Sequence, residues 1–307
     1  MFSKTHMHKR WRYFANNYQL YILLALVMTY FILFAYMPMF GLRMAFMDFN
    51  VVLGFERSKW VGLKHFDKLI NGPYFMTILK NTVSISVYSI LASWPFPIAF
   101  ALAVNVLTNN RVKRSVQTIA YAPHFISTVV IVGMLKLFLS PSSGVVNAVI
   151  AALGGERINF FAEAEMFSSI YVWSGIWQNT GWNAVIYIAA LSGIDPQLHE
   201  AATIDGASRL KRVWHIDLPG ILPTMVILTI MSFANVMGVG FEKAYLMQNN
   251  LNVSASEVIS TYSYKVGLEQ MQFSFSTAVS MFNSVVTFSM LMLMNFLSKR
   301  ITSISLW

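Results

Sequence analysis

Six long stretches of this chain carry no Asp, Glu, Lys or Arg: residues 13–42, 81–110, 115–135, 166–194, 218–241 and 270–298. Crossing a hydrocarbon core of about 30 Å takes roughly 20 helical residues, and every stretch reaches that length. Lipid offers the backbone no hydrogen-bond partners, so stretches of this kind fold as helices. The expectation is an all-α integral membrane protein with six transmembrane helices, at about 19–40, 77–107, 115–139, 168–193, 219–240 and 274–298. Composition agrees: 56% of residues are hydrophobic and 11% charged, against about 25% charged in soluble domains. A soluble domain and a disordered chain are thereby excluded. With no cysteine, a disulfide scaffold, a thiolate metal site and a Cys nucleophile are excluded as well.

Lys4, Lys9, Arg10 and Arg12 precede the first stretch in the manner of a secretory signal. Signal cores are shorter and end at a small-x-small cleavage site, whereas this one runs on through Tyr36-Met37-Pro38-Met39-Phe40. It reads as an uncleaved first span. With the N-terminus in the cytoplasm, the inner segments hold twelve cations against four acids, and the outer loops eight against nine. That asymmetry follows the positive-inside rule and places both termini in the cytoplasm. With Lys80 and Lys136 at span edges, it also accounts for the net charge of +9 without a nucleic-acid partner. The expected layout is a cytoplasmic segment 1–18, a transmembrane domain 19–298 and a cytoplasmic tail 299–307. Its outer loops are 41–76 and 241–273, and its main inner loop is 195–218. Pro38, Pro95 and Pro97 lie inside spans, where each removes a helical hydrogen bond and kinks the rod.

The inner loop is the most informative segment. Asp195 is a suitable N-cap with Pro196 at the first helical position, and residues 196–205 favour helix. Gly206 suits a left-handed C-cap, and Ser208 caps a second short helix ending near His215, before Pro219 starts the fifth span. Small Ala201, Ala202, Gly206 and Ala207 leave the backbone open to a partner. On these grounds alone, a docking element and an interfacial amphipathic connector remain equally open.

Glu200-Ala201-Ala202, Asp205-Gly206-Ala207, Ile216, Leu218-Pro219 and Pro223 resemble the EAA loop of binding-protein-dependent ABC importer permeases. The position between the fourth and fifth spans and the Asn81-Thr82 pair opening span two are similar to the maltose-type carbohydrate permeases. Within that group the chain is most similar to the lipoprotein-linked polysaccharide permeases. The resemblance implies a type I ABC importer permease fold in a bacterial cell membrane. It further implies a heterodimer with a second homologous permease, two cytosolic ATPase subunits, an extracellular solute-binding lipoprotein and an oligosaccharide substrate. Glu200, Ala201, Ala202, Asp205 and Gly206 are carried over as coupling positions toward the ATPase. No G-x-x-x-x-G-K-[ST] loop is present, so ATP and Mg are expected on the partner subunits, and this chain is not expected to be an enzyme or to hold a cofactor.

For the substrate path, span four carries Trp173, Trp177, Gln178, Asn179, Trp182, Asn183 and Tyr187. Aromatic rings stack on the apolar faces of sugars, and amides bond hydroxyls without a desolvated charge. Trp177, Asn179, Trp182, Asn183, Tyr187 and, in span five, Asn235 are the candidates, with Trp177 expected to face the path because it shares a face with Trp173. Belt aromatics and interhelical amide bonds are the alternatives. The six histidines show no ligand spacing, so no metal site is expected. A secondary sugar carrier acting alone would call for an intramembrane ionisable residue or repeated halves, and neither stands out. A non-sugar solute for an importer of this kind also stays open.

Overall fold

The computed structural model describes residues 16–302. Helix α1 spans Tyr18–Phe46. A two-stranded antiparallel hairpin follows, β1 Met47–Asp48 and β2 Lys59–Trp60. Then come α2 Lys64–Ile70 and α3 Phe75–Val106. Next are α4 Asn110–Phe125, α5 Thr128–Phe138 and α6 Val145–Ala152. They lead to α7 Met166–Ser192, α8 Pro196–Ile204 and α9 Arg209–Ala234. The chain closes with α10 Phe241–Met247, α11 Val253–Ser256, α12 Ile259–Tyr264 and α13 Phe273–Thr302.

Among the described residues, α1, α3, α9 and α13 are each long and apolar enough to cross a membrane. The expected third span, 115–139, is instead broken: α4 and α5 meet at 94°. Pro123 ends the first half, Ile126 and Ser127 are extended, and Ser127 Oγ caps the second half by accepting from Val130 N. The exposed carbonyl at this elbow is met by α7, whose Gln178 Nε2 donates to Ile126 O at 3.1 Å. Helix α7 has 27 residues, about 40 Å at 1.5 Å per residue. It is long enough to span, but its amides dilute the apolar content.

The fifth span also differs from expectation. Ser208 does cap a helix, accepting from Lys211 N, yet that helix does not stop near His215. It continues through Pro219 and ends at Ala234, six residues short of the expected 240. The passage through proline has a local cause. Val213–Asp217 form one wide π turn in which Leu218 N donates to Val213 O, which removes the demand that Pro219 donate and makes room for its ring. The same device, Ile32–Tyr36 with Met37 N donating to Ile32 O, precedes Pro38. Both prolines are therefore carried within a continuous helix. The early end at Ala234 follows from Asn235 and the glycines at 238 and 240, which unwind the chain toward α10.

Packing is concentrated in three apolar clusters. One joins Leu69, Ile78, Val236, Met237, Ile259, Phe275 and Val279, where α2, α3, α12 and α13 meet. A second joins Ile85, Val132, Phe167, Met247 and Val258. The third, Ile98, Ala101, Ala184, Leu191, Ile221 and Met225, locks α3, α7 and α9 together near α8. Lipid tails are as apolar as leucine, so close approach over small residues, here Ala101 and Ala184, supplies the packing gain. Asn81 and Thr82 pin the α11–α12 segment: Asn81 Nδ2 donates to Ser254 O and Glu257 O, and Ile259 N donates to Thr82 Oγ1 at 2.9 Å. Helix α1 packs against α13 through its last part, where Ala45 is buried; among the described residues none between Tyr18 and Phe40 is buried.

Candidate functional site

Two features of the fold carry chemistry, a protruding loop and a polar cleft. The loop is built as its residues dictate. Asp195 caps α8 by accepting from Gln197 N, with Pro196 in the first turn. At its other end Gly206 has φ +75°, and the turn closes through Ala207 N donating to Ala202 O at 2.8 Å and Gly206 N to Thr203 O at 3.1 Å. This is a Schellman closure, in which only a residue at ease in left-handed geometry fits the glycine's position. Glu200, Ala201, Asp205 and Gly206 are exposed and Ala202 is half-buried. Beside them Leu198 and Ile204 stand out into solvent, Ile204 at 87% exposure.

Side chains tie this loop back to the bundle. Arg212 Nη1 donates to Thr203 Oγ1 at 2.8 Å. His199 Nε2 lies 3.3 Å from Oδ1 of Asp217, a buried carboxylate on α9. Asn105 Nδ2, at the end of α3, reaches the same oxygen at 3.5 Å. Asp217 and Arg212 thus link α8 to α9, and Asp217 links it to the end of α3 through Asn105.

The cleft lies between α3, α7 and α9, with α10 at one end. Its two joined compartments have volumes of about 340 and 260 Å³ and share Ile90, Ser93, Asn183, Ser232 and Asn235. Helix α7 supplies an i, i+4 row: Tyr171, Gly175, Asn179 and Asn183 line the larger compartment, and Asn183 and Tyr187 the smaller. Asn179 is held by His124 Nδ1, 2.9 Å from its Oδ1. Four of the six path candidates, Asn179, Asn183, Tyr187 and Asn235, are brought together here.

The two tryptophans are not. Trp177 does share a face with Trp173, but that face lines a separate apolar groove of about 470 Å³ against α5. Two residues along a helix are about 200° apart, so a side chain at 177 points away from the row through 179. Trp182 stacks on His124 with centroids 4.5 Å apart and an interplanar angle of 2°. It closes the α4–α5 elbow instead of lining the cleft. Lys243 of α10, which sequence reasoning counted among the outer-loop charges, reaches the larger compartment. Burial pulls its ammonium down to about 8.

The family described as "Binding-protein-dependent transport system inner membrane component" matches residues 96–303, from the second half of α3 to beyond α13. This chain belongs to that family. The permease is 42% identical over 281 residues to the polygalacturonan/rhamnogalacturonan transport system permease protein YteP of Bacillus subtilis (strain 168), covering 92% of this chain and 88% of that one. It is 38% identical to protein LplB of the same organism, with the same coverage. Among solved structures it superposes on a chain of a bacterial alginate ABC transporter, crystallised with an alginate pentasaccharide-bound periplasmic protein. The TM-score is 0.87 at 36% identity, covering 96% of the permease and 99% of that chain. The EAA-type loop, the second half of α3, α7 and α9 fall within the family match. The permease is a membrane-embedded transport component.

Residues lining the cleft and residues packed in the α5 groove separate in a simple comparison. Asn183→Ala should lower uptake several-fold by deleting hydroxyl-bonding capacity, typically about 0.5–1.5 kcal/mol per bond. Trp177→Ala should leave uptake per assembled complex near wild type and lower thermal stability instead. Initial uptake rates, normalised to complex recovered by size-exclusion chromatography, check both outcomes.

Proposed function

We propose that the permease is one of two membrane subunits of an ATP-driven, binding-protein-dependent importer of oligosaccharides. In this reading α1, α3, the α4–α5 pair, α7, α9 and α13 provide six spans, with both termini and α8 in the cytoplasm. ATP and Mg are handled by two separate ATPase subunits, and a loaded binding protein docks on the outer face. The observation that carries the reading is the α8 loop. Its glycine turn presents Leu198 and Ile204 to solvent, while Arg212, His199 and Asp217 fasten it to α3 and α9. An exposed apolar surface of this kind suits a protein partner. Closure of the ATPase pair then moves α8, and α8 moves the walls of the cleft. Serine and amide side chains there suit the many hydroxyls of a sugar chain. The polygalacturonan/rhamnogalacturonan permease YteP and the alginate transporter support the assignment to saccharides.

The test is reconstitution with the partner permease and ATPase in proteoliposomes. Labelled oligosaccharide should accumulate only with ATP inside and binding protein outside. Accumulation by the permease alone, driven by an ion gradient, would make it a secondary carrier. Reporter fusions after residue 205 should read cytoplasmic, and after residue 155 external; reversal at 205 would place α8 out of reach of an ATPase.

A further inference from the structure

Lys243 is the one charged residue among those lining the larger compartment. Its Nζ donates to Tyr171 O at 2.8 Å and sits 4.8 Å from the centroid of the Tyr171 ring. No carboxylate among the described residues lies within 4.0 Å of it, although Lys64 and Lys265 both have such partners. An ammonium has three N–H donors, and the Tyr171 carbonyl takes one. A partly buried charge without a counter-ion is costly, and simple helix packing would be served better by an apolar side chain. Access is provided by Gly175, which adds no side chain beneath Nζ: a Cβ built there would lie 3.4 Å from it. Hydroxyl-bonding groups line the same compartment, notably Ser86, Ser89, Asn183 and Asn235.

We infer that Lys243 is a carboxylate-binding residue of the transport path, and that the permease is built for acidic oligosaccharides whose rings are uronates. The inference rests on the oligosaccharide reading and narrows it. A chain of uronates carries what this compartment offers on its wall, carboxylates for the ammonium and hydroxyls for the serines and amides. A neutral sugar would leave the cation without a counter-charge. The lysine reaches the cleft because α9 ends at Ala234 and the chain folds back through residues 235–240 into α10.

The test uses the purified complex of the permease with its permease and ATPase partners in nanodiscs, without binding protein, so that the cleft alone discriminates. Equilibrium binding is measured for tri-galacturonate, its trimethyl ester and maltotriose. The wild-type complex should bind the acid about tenfold more tightly than the ester, and Lys243→Arg should keep that ratio. In Lys243→Met the ratio should fall to about one. A ratio that survives in Lys243→Met, equal binding of acid and ester by wild type, or loss of both forms together in Lys243→Met overturns the assignment and leaves Lys243 as a staple between α10 and α7. A wild-type complex that binds none of the three saccharides removes the import reading itself.

Discussion

Gly206→Val should reduce ATP-driven uptake to background while the permease still inserts and assembles. At φ +75° a β-branched residue is strained even where there is room. Among the described residues beyond its chain neighbours the site is open, with no atom within 4 Å of a Cβ built there, so the penalty is conformational. To relieve it the Schellman closure must open, releasing the Ala207–Ala202 and Gly206–Thr203 hydrogen bonds and swinging Ile204 and Asp205 off their positions. The three clusters of buried side chains lie elsewhere and should stay intact. Gly206→Asn is the informative companion, because asparagine tolerates left-handed geometry and can close the same turn. It should retain a substantial fraction of uptake. Sugar-stimulated ATP hydrolysis, measured on reconstituted complexes, should fall with uptake in the valine variant. Wild-type uptake with Gly206→Val would show that the turn plays no part in coupling.

Gly181→Ala should be the most damaging methyl in the bundle. A Cβ at this position would lie 2.1 Å from Ala120 O, 2.5 Å from Ala120 C and 3.0 Å from Ala120 Cβ. Two of those atoms are backbone, so no side-chain rotation relieves the overlap. Helix α4 must move off α7, and the elbow contacts of His124 and Ile126 with Asn179, Gln178 and Trp182 go with it. Overpacking of this kind typically costs about 1–3 kcal/mol, which in a domain of this size lowers the melting temperature by several degrees. Gly133→Ala is the control: it also lies in a helix, and nothing stands within 4 Å of its Cβ. Thermal unfolding of the purified complexes should separate the two glycines, and equal melting temperatures would contradict the close α4–α7 contact.

Much of this was legible because the physics is one-dimensional. Charge-free length marks the spans, and the cap residues Asp195, Ser208 and Gly206 mark the loop, since each acts on backbone groups two to four positions away. What depends on the third dimension was not. Pro123 and Ser127 are visible stop and start signals inside one apolar stretch, yet the stretch alone does not say that the two halves meet at 94°. For α7, the row through Asn179 and Asn183 was visible, and helical geometry places Trp177 on the opposite side. The preference for tryptophan as a stacking platform obscured that conflict. Lys243 was hidden for a different reason. A fifth span running to 240 would leave it in a loop, and only the unwinding after Ala234 returns it to the cleft.

The isolation of α1 bears on how a family of such subunits diversifies. Among the described residues none between Tyr18 and Phe40 is buried, and backbone bonds within the helix allow lipid to surround most of this surface. Exchanges of one apolar side chain for another at its exposed positions leave the three buried clusters unaltered. Their effect is felt only where a second subunit presses against it. A duplicated gene could thus rewrite which copy pairs with which on this helix, while the cleft and the α8 loop drift under separate constraints.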